Sequence, residues 1–189
     1  MKHEFAPWRS EYFKNKQEGC AFCDIVSNDN KDDENFVIFR AKHCFGVMNR
    51  YPYTLGEFMV IPYEHIDNVE TLDDETWHEM SHFVKIGVGI LKKYLNANGV
   101  NIGMNLGAAA GAGIAEHIHY HLVPRWNRDT NFITTIGHTR IHGIPFYEQY
   151  QTLKEAFKET WDSSTEDIFV FARGACSEER ASIFATLSS

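Results

Sequence analysis

The stretch Glu116-His-Ile-His-Tyr-His-Leu-Val-Pro124 decides the fold and points to the chemistry of this chain. In an extended strand, successive side chains point to opposite faces, so residues i, i+2 and i+4 share one face. The pattern therefore predicts that His117, His119 and His121 lie side by side while the alternating apolar residues face a core. Three adjacent imidazoles can bind a metal ion, share protons, or act as nucleophile and acid near neutral pH. The alternative is the polar outer face of a half-buried strand.

A segment rich in glycine and alanine, Asn105-Leu-Gly-Ala-Ala-Ala-Gly-Ala-Gly113, lies just upstream of the histidines. Glycine allows positive φ values and close backbone approach, so successive N–H groups can point at one anion. The segment is therefore either a phosphate-binding loop or a flexible hairpin connection. Joined to the histidine row, it favours nucleophilic attack on phosphorus as the chemistry.

Short apolar runs bounded by polar, Gly or Pro residues predict the strands. These runs lie at residues 36–39, 45–48, 58–61, 100–106 and 118–123. Apolar residues at three- to four-residue spacing after Thr71-Leu-Asp-Asp74 predict a helix of about 22 residues that ends near Asn98-Gly99. A shorter amphipathic helix is predicted from Tyr147 to Trp161. This order of strands, long helix, strands and helix predicts an α+β fold with an antiparallel sheet.

The composition indicates the class of protein. The chain has 189 residues, 43% apolar and 23% charged, which is typical of one globular domain with extensions. Its 18 basic and 26 acidic residues give a net charge of −8, which offers no electrostatic footprint for duplex nucleic acid or anionic lipid. No apolar run approaches the roughly 20 residues of a membrane span, and residues 1–9 lack the apolar core of a secretory signal. We therefore expect a cytoplasmic protein without a nucleic-acid or membrane partner.

Two cysteines, Cys20 and Cys23, form a C-x-x-C pair near the start of the chain. In a chain without a secretion signal, a disulfide framework is not expected. The pair is then a redox pair or half of a metal site. The alternative is that both thiols are small buried hydrophobes.

The histidine stretch His117-Ile-His-Tyr-His-Leu-Val123 matches His-φ-His-φ-His-φ-φ, where φ is apolar, and so resembles the histidine triad (HIT) superfamily of nucleotide hydrolases and transferases. Further blocks resemble the family's opening and its second block: Cys20-Ala-Phe-Cys-Asp-Ile25, Asn49-Arg-Tyr-Pro-Tyr-Thr-Leu-Gly56, Phe58-Met-Val-Ile-Pro62 and His65. Two more resemble the branch that includes diadenosine tetraphosphate phosphorylases: Ala6-Pro-Trp-Arg9 and Pro124-Arg-Trp-Asn-Arg-Asp-Thr-Asn-Phe-Ile133. The resemblance covers roughly residues 5–160.

The resemblance implies an architecture. It predicts a HIT-like domain over residues 1–160, with an antiparallel sheet of about five strands, one long helix and a C-terminal helix. Residues 161–189 would then be a C-terminal extension of unknown role. Family members usually pair as homodimers, so the resemblance also implies a homodimer.

The resemblance also implies roles for individual residues. His119 would attack the α-phosphorus and carry the nucleotidyl group as a phosphoramidate, while His121 would steady phosphoryl oxygens or protonate the leaving group. The substrate-binding residues implied are a ribose-binding amide, a phosphate-facing amide and a charge-complementing stretch of backbone: Asn49, Asn105, Gly111, Ala112 and Gly113. For each asparagine the alternative is an ordinary turn residue.

One departure from the family concerns the loop before the histidines. Relatives often carry a Ser, Thr or Gln near Gly113, whereas this chain has Ala112-Gly113-Ile114, with no side-chain donor. The choice between phosphorolysis and hydrolysis therefore stays open.

Some HIT proteins close a zinc site with two further histidines, which correspond to His65 and His117 here. With Cys20 and Cys23, these residues would supply the four Cys and His ligands of a structural zinc site. The alternative is that His65 caps a turn.

The function predicted from these residues is cleavage of a dinucleoside polyphosphate, such as diadenosine tetraphosphate, through a nucleotidyl intermediate on His119. An alternative within the same chemistry is hydrolysis of nucleoside phosphoramidates. A zinc-stabilised nucleotide-binding module that senses nucleotides without turnover is the alternative from another class, but a pure binder needs no nucleophile.

Overall fold

A computed structural model of the protein describes residues 19–136 and 143–164. Its centre is an antiparallel five-stranded sheet in the order β1-β2-β3-β5-β4. The strands are β1 (Val37–Arg40), β2 (Cys44–Met48), β3 (Phe58–Pro62), β4 (Gly99–Gly103) and β5 (Tyr120–Arg125). The predicted α+β fold with an antiparallel sheet is confirmed.

The helices cover both faces of this sheet. They are α1 (Ala21–Ser27), α2 (Asp74–Tyr94), α3 (Phe132–Thr135) and α4 (Phe146–Ser164). Helices α2 and α4 pack on one face and enclose the larger core, whereas α1 inserts Phe22 into a smaller core on the other face. Because both faces are covered, β1, β2 and β3 are buried along their whole length and read as continuous apolar runs.

Helix α2 begins and ends at residues with specific backbone roles. The side chain of Asp73 caps the first turn by accepting a hydrogen bond from the backbone N–H of Thr76 at 2.9 Å. The helix ends at Tyr94, so the predicted end near Asn98-Gly99 was wrong by about a turn. Asn96 stops it earlier by adopting a left-handed φ of 52°, which asparagine tolerates better than most residues.

A close approach between α2 and the middle of the sheet depends on Gly87. A Cβ atom at this position would lie 2.5 Å from Phe58 Cζ and 2.9 Å from a Cδ atom of Leu122. The absence of a side chain therefore lets α2 lie against β3 and against β5, the strand that contains His121.

The histidine stretch is extended over a shorter length than predicted. Strand β5 begins at Tyr120 instead of residue 118, so His117 and His119 precede it. The reason is local: the carbonyl of His117 accepts a hydrogen bond from the ring of His119, and the N–H of Ile118 donates to Ile66 outside the sheet. The predicted strand at 100–106 likewise ends earlier, at Gly103.

The remaining predictions concern the two ends of the chain. Helix α4 runs to Ser164, so the proposed boundary between residues 1–160 and 161–189 falls inside it. The motif at Ala6-Pro-Trp-Arg9 lies outside the described residues. Within the described residues, no helix combines the length and the apolar character needed to cross a membrane.

Candidate active site and metal cluster

The four predicted metal ligands come together from three parts of the chain. Cys20 and Cys23 lie at the start of α1, His65 follows β3, and His117 precedes β5; all their ligand atoms lie within 4.8 Å of one another. The sulfur-to-nitrogen separations are 3.4 Å for Cys20–His117, 3.1 Å for Cys23–His65 and 3.7 Å for Cys23–His117. Tetrahedral zinc with its usual bond lengths places sulfur and nitrogen ligands about 3.6 Å apart. The cluster therefore fits a Cys₂His₂ zinc site.

The orientation of His117 suits a metal ligand. Its Nε2 lies 3.0 Å from the carbonyl oxygen of Pro62, which only accepts, so Nε2 carries the proton and Nδ1 faces the cysteines with its lone pair. Burial lowers the pKa of His117, which keeps the ring neutral. Burial and the neighbouring Cys20 thiol raise the pKa of Cys23, an effect that a bound cation would oppose.

Phe22 links this cluster to the proposed nucleophile. Its ring meets the ring of His117 edge-on at 5.5 Å between centroids and the ring of His119 at 5.0 Å. Phe22 lies between the two cysteines in sequence, so the segment that supplies the thiols also covers His119. Phe22 was not among the predicted site residues, because its contacts are with histidines far away in sequence.

His119 is buried and held in one orientation. Its Nδ1 donates to the carbonyl oxygen of His117 at 2.8 Å, so Nε2 keeps its lone pair. Burial lowers the pKa of His119 to about 4, and the neighbouring rings of His121 and His117 act in the same direction. The ring is therefore neutral at physiological pH, as attack on phosphorus requires. The histidine row is not a solvated face, since His117 is 0% and His119 5% exposed.

His121 lies next to His119 and contacts a carboxylate. The two rings meet at 4.8 Å between centroids, and Nδ1 of His121 lies 2.9 Å from Oε1 of Glu57. The side chain of His121 is 15% exposed, so this ring reaches solvent where the buried His119 does not. The ring of Tyr53 lies 6.0 Å away on the solvent side.

Glu57 contacts both His121 and Asn49 and was not among the predicted site residues. Its side chain is fully buried, and its two carboxylate oxygens also accept from Nδ2 of Asn49, at 2.9 Å, and from the backbone N–H of Tyr53. An acidic residue between the turn at Gly56 and an apolar strand looks like an exposed strand end. No local pattern marks it as a partner of a histidine 64 positions away.

Asn49 has both a turn role and a place in the site. Its Oδ1 accepts from the backbone N–H of Tyr51 at 2.9 Å, which is the side-chain turn that asparagine commonly makes. Its Nδ2 donates to Oε1 of Glu57, the same oxygen that contacts His121. The Glu57 carboxylate therefore connects Asn49 to His121.

The glycine-rich loop closes on itself. Gly107 and Gly111 adopt left-handed φ values of 80° and 92°, and Ala108–Ala110 form one 3-10 turn between them. The backbone N–H of Gly111 donates to Ala108, and that of Ala112 to Gly107. These groups therefore point into the loop, and phosphate binding by them would require those bonds to be exchanged.

The sheet and the three histidines define the class as histidine triad proteins. The chain belongs to the HIT domain family, whose sequence model matches residues 30–128, just over half of the chain. It is similar to the AP-4-A phosphorylase of Mycobacterium tuberculosis, at 41% identity over 110 residues, which are 58% of this chain and 56% of that relative. The chain thus spans about half the length of this relative.

Two solved structures have the same fold. A Zn-bound histidine triad family protein from Mycobacterium smegmatis is 28% identical, with a TM-score of 0.64 over 77% of this chain and 98% of that protein. A hypothetical histidine triad nucleotide-binding protein from Sulfolobus tokodaii is 25% identical, with a TM-score of 0.62 over 80% of this chain and all of that protein.

Proposed function

We propose that this chain cleaves a dinucleoside polyphosphate at its α-phosphate, with His119 as the nucleophile. The observation that carries the proposal is the state of His119, which is buried and neutral and donates through Nδ1 to a backbone carbonyl. This arrangement presents the Nε2 lone pair, the atom that must attack. The similarity to an AP-4-A phosphorylase supports a dinucleoside tetraphosphate as the substrate.

The reaction has two steps, transfer of the nucleotidyl group to His119 and its transfer to water or phosphate. In the first, Nε2 of His119 bonds to the α-phosphorus, the bond from phosphorus to the bridging oxygen breaks, and His121 supplies a proton to the leaving nucleotide. In the second, water or inorganic phosphate attacks the same phosphorus, and the nitrogen–phosphorus bond breaks to restore His119. Neutral His121 accepts the proton of the attacking water or dihydrogen phosphate, which restores its acid form.

Turnover of diadenosine tetraphosphate, with and without inorganic phosphate, tests this function. Hydrolysis through His119 yields AMP and ATP, whereas phosphorolysis yields ADP and ATP. Adenosine 5′-phosphoramidate serves as the comparison substrate, since the same intermediate accepts either leaving group. A higher kcat/KM for the phosphoramidate would replace the proposed substrate, and no turnover of either compound would replace the enzyme by a nucleotide-binding module.

Asn49 is expected to contribute to sugar binding. Asn49→Ala should raise KM more than it lowers kcat, because a ribose contact stabilises ground state and transition state alike. The variant should also lose the discrimination between ribose and 2′-deoxyribose substrates. Equal treatment of both sugars by the wild type would contradict the role. Asn98→Ala is the matched control, since Asn98 contacts Asn127 beyond the far end of β5.

We also propose that the Cys20, Cys23, His65 and His117 cluster holds a zinc ion with a structural role. Four protein ligands leave no open coordination position, so the ion would order the chain and would not bind substrate. Ordering His117 also orders the carbonyl that accepts the Nδ1 proton of His119. The zinc-bound relative from Mycobacterium smegmatis supports this assignment.

A homodimer through β4 is the proposed assembly. Strand β4 lies at the edge of the sheet, and Ile102 on it is 49% exposed. An edge strand offers unpaired backbone groups to a second copy. Light scattering should therefore give the mass of two chains for the wild type and of one chain for Ile102→Lys. Leu106→Lys, beyond the strand and 43% exposed, is the control and should stay dimeric. A monomeric wild type would contradict this assembly.

A further inference from the structure

We propose that Glu57 is a positioning residue that holds His121 as the acid for the leaving group and holds Asn49 as the sugar contact. One buried carboxylate would then position both the residue that protonates the leaving group and the residue that contacts the sugar. The inference rests on the proposed nucleotidyl transfer to His119, and it adds a group that does not itself touch substrate.

The buried carboxylate of Glu57 has three hydrogen-bond partners, and one of them is a basic side chain. Its side chain is 0% exposed, and an isolated carboxylate in such a place is strongly unfavourable. Among the residues that the structure describes, His121 is the only basic side chain within ion-pair distance of it. The acid form of His121 is the form that places a positive charge beside the Glu57 carboxylate.

The hydrogen bonds fix which nitrogen of His121 faces the carboxylate. Oε1 of Glu57 accepts from Nδ2 of Asn49, and Oε2 accepts from the backbone N–H of Tyr53. Both partners can only donate, so both oxygens act as acceptors and His121 meets Oε1 with its Nδ1–H. Nε2 then lies on the opposite side of the ring and carries the proton that is transferred.

Glu57 neither gains nor loses a proton during the transfer to His119. Nε2 of His119 bonds to phosphorus, the phosphorus–oxygen bond breaks, and its electron pair goes to the leaving oxygen. The proton on Nε2 of His121 moves to that oxygen. His121 becomes neutral and keeps its Nδ1–H on Glu57, so no proton leaves the carboxylate site. Without Glu57, the ring can rotate or carry its single proton on the wrong nitrogen.

A series of AMP esters tests the acid role. The esters carry phenols that range from nitrophenol, which leaves without protonation, to unsubstituted phenol, which needs a proton. Relative to wild type, Glu57→Gln should be within about threefold on the nitrophenyl ester and about a hundredfold slower on the phenyl ester. His121→Ala should show the same dependence in kcat, and the double variant should have the kcat of His121→Ala, since the Asn49 contact acts on KM.

A second buried carboxylate provides the matched control. Glu79 on α2 accepts backbone N–H bonds from His43 and Cys44, away from the histidine row. Glu79→Gln removes the same charge from a similarly buried place. It should lower stability while leaving the ratio of rates on the two esters unchanged.

Nitrogen-15 NMR of the full zinc-loaded chain gives a readout that needs no turnover. In its neutral form, the His121 ring should carry its proton on Nδ1 in the wild type. In Glu57→Gln, the neutral ring should be a mixture of the Nδ1–H and Nε2–H tautomers. If Glu57→Gln does not fold, Glu57→Asp is used instead, because its shorter side chain withdraws the carboxylate from His121. A rate loss that is uniform across the esters, or an unchanged tautomer, would overturn the role of Glu57 alone. No wild-type turnover of any ester would refute the nucleotidyl transfer and, with it, the acid role.

Discussion

His119→Asn is expected to lower kcat for diadenosine tetraphosphate by at least about a hundredfold, because it removes the nucleophile. The fold should survive, since the apolar face of the stretch, formed by Ile118 and Leu122, is untouched. The asparagine amide can also donate to the carbonyl that now receives Nδ1. The measurement is steady-state turnover together with a thermal melting curve and a nucleotide-binding isotherm.

Two comparisons make this result specific. His78→Asn changes an exposed histidine on α2 in the same way and should leave kcat unchanged. His121→Ala should retain more activity on substrates with good leaving groups than His119→Asn does. Near-normal kcat in His119→Asn would refute the covalent mechanism, whatever the other variants do.

The second large effect concerns the metal. Purified wild-type chain is expected to carry about one zinc ion, and Cys20→Ser should lose it, because three remaining ligands bind more weakly. Loss of the ion frees α1 from His65 and His117 and withdraws Phe22 from the histidines. We expect a loss of about 3 kcal/mol in the free energy of unfolding, or roughly 10 °C in Tm.

Activity should fall less than stability in Cys20→Ser when it is measured well below Tm. The ion would orient His117 and its carbonyl, whereas the attacking atom belongs to His119. Cys44→Ser is the control: this thiol is free like that of Cys20, but it is fully buried outside the cluster, so metal content should be unchanged. Metal-free wild type of equal stability would refute the site. A metal ion bound by His117, His119 and His121 together would also contradict the proposed chemistry, because it would occupy the nucleophile.

The sequence contained most of the fold but less of the site. Strands β2 and β3 were predicted within one residue of their observed bounds, because their apolar runs are short and sharply bounded. The start of β5 was wrong because alternation alone cannot show that the carbonyl of His117 bonds to a side chain. The end of α2 was wrong because apolar spacing continued through Leu95 while Asn96 left the helical region.

Some site residues could be predicted from local sequence patterns, and others could not. The Cys20 and Cys23 pair and the histidine row are local patterns, and the resemblance joined them to His65. Glu57 and Phe22 have no such local pattern. Each matters through contacts with residues 64 or more positions away, which only the folded sheet brings close.

The covalent intermediate on His119 is the central claim, and alkaline quenching during turnover tests it most directly. A phosphoramidate survives base, so the full chain mixed with diadenosine tetraphosphate and quenched in alkali should gain the mass of one adenylyl group. Peptide mapping should place that group on His119, and His119→Asn should show none. Turnover without any adduct, or an adduct on His121 or another residue, would contradict the account.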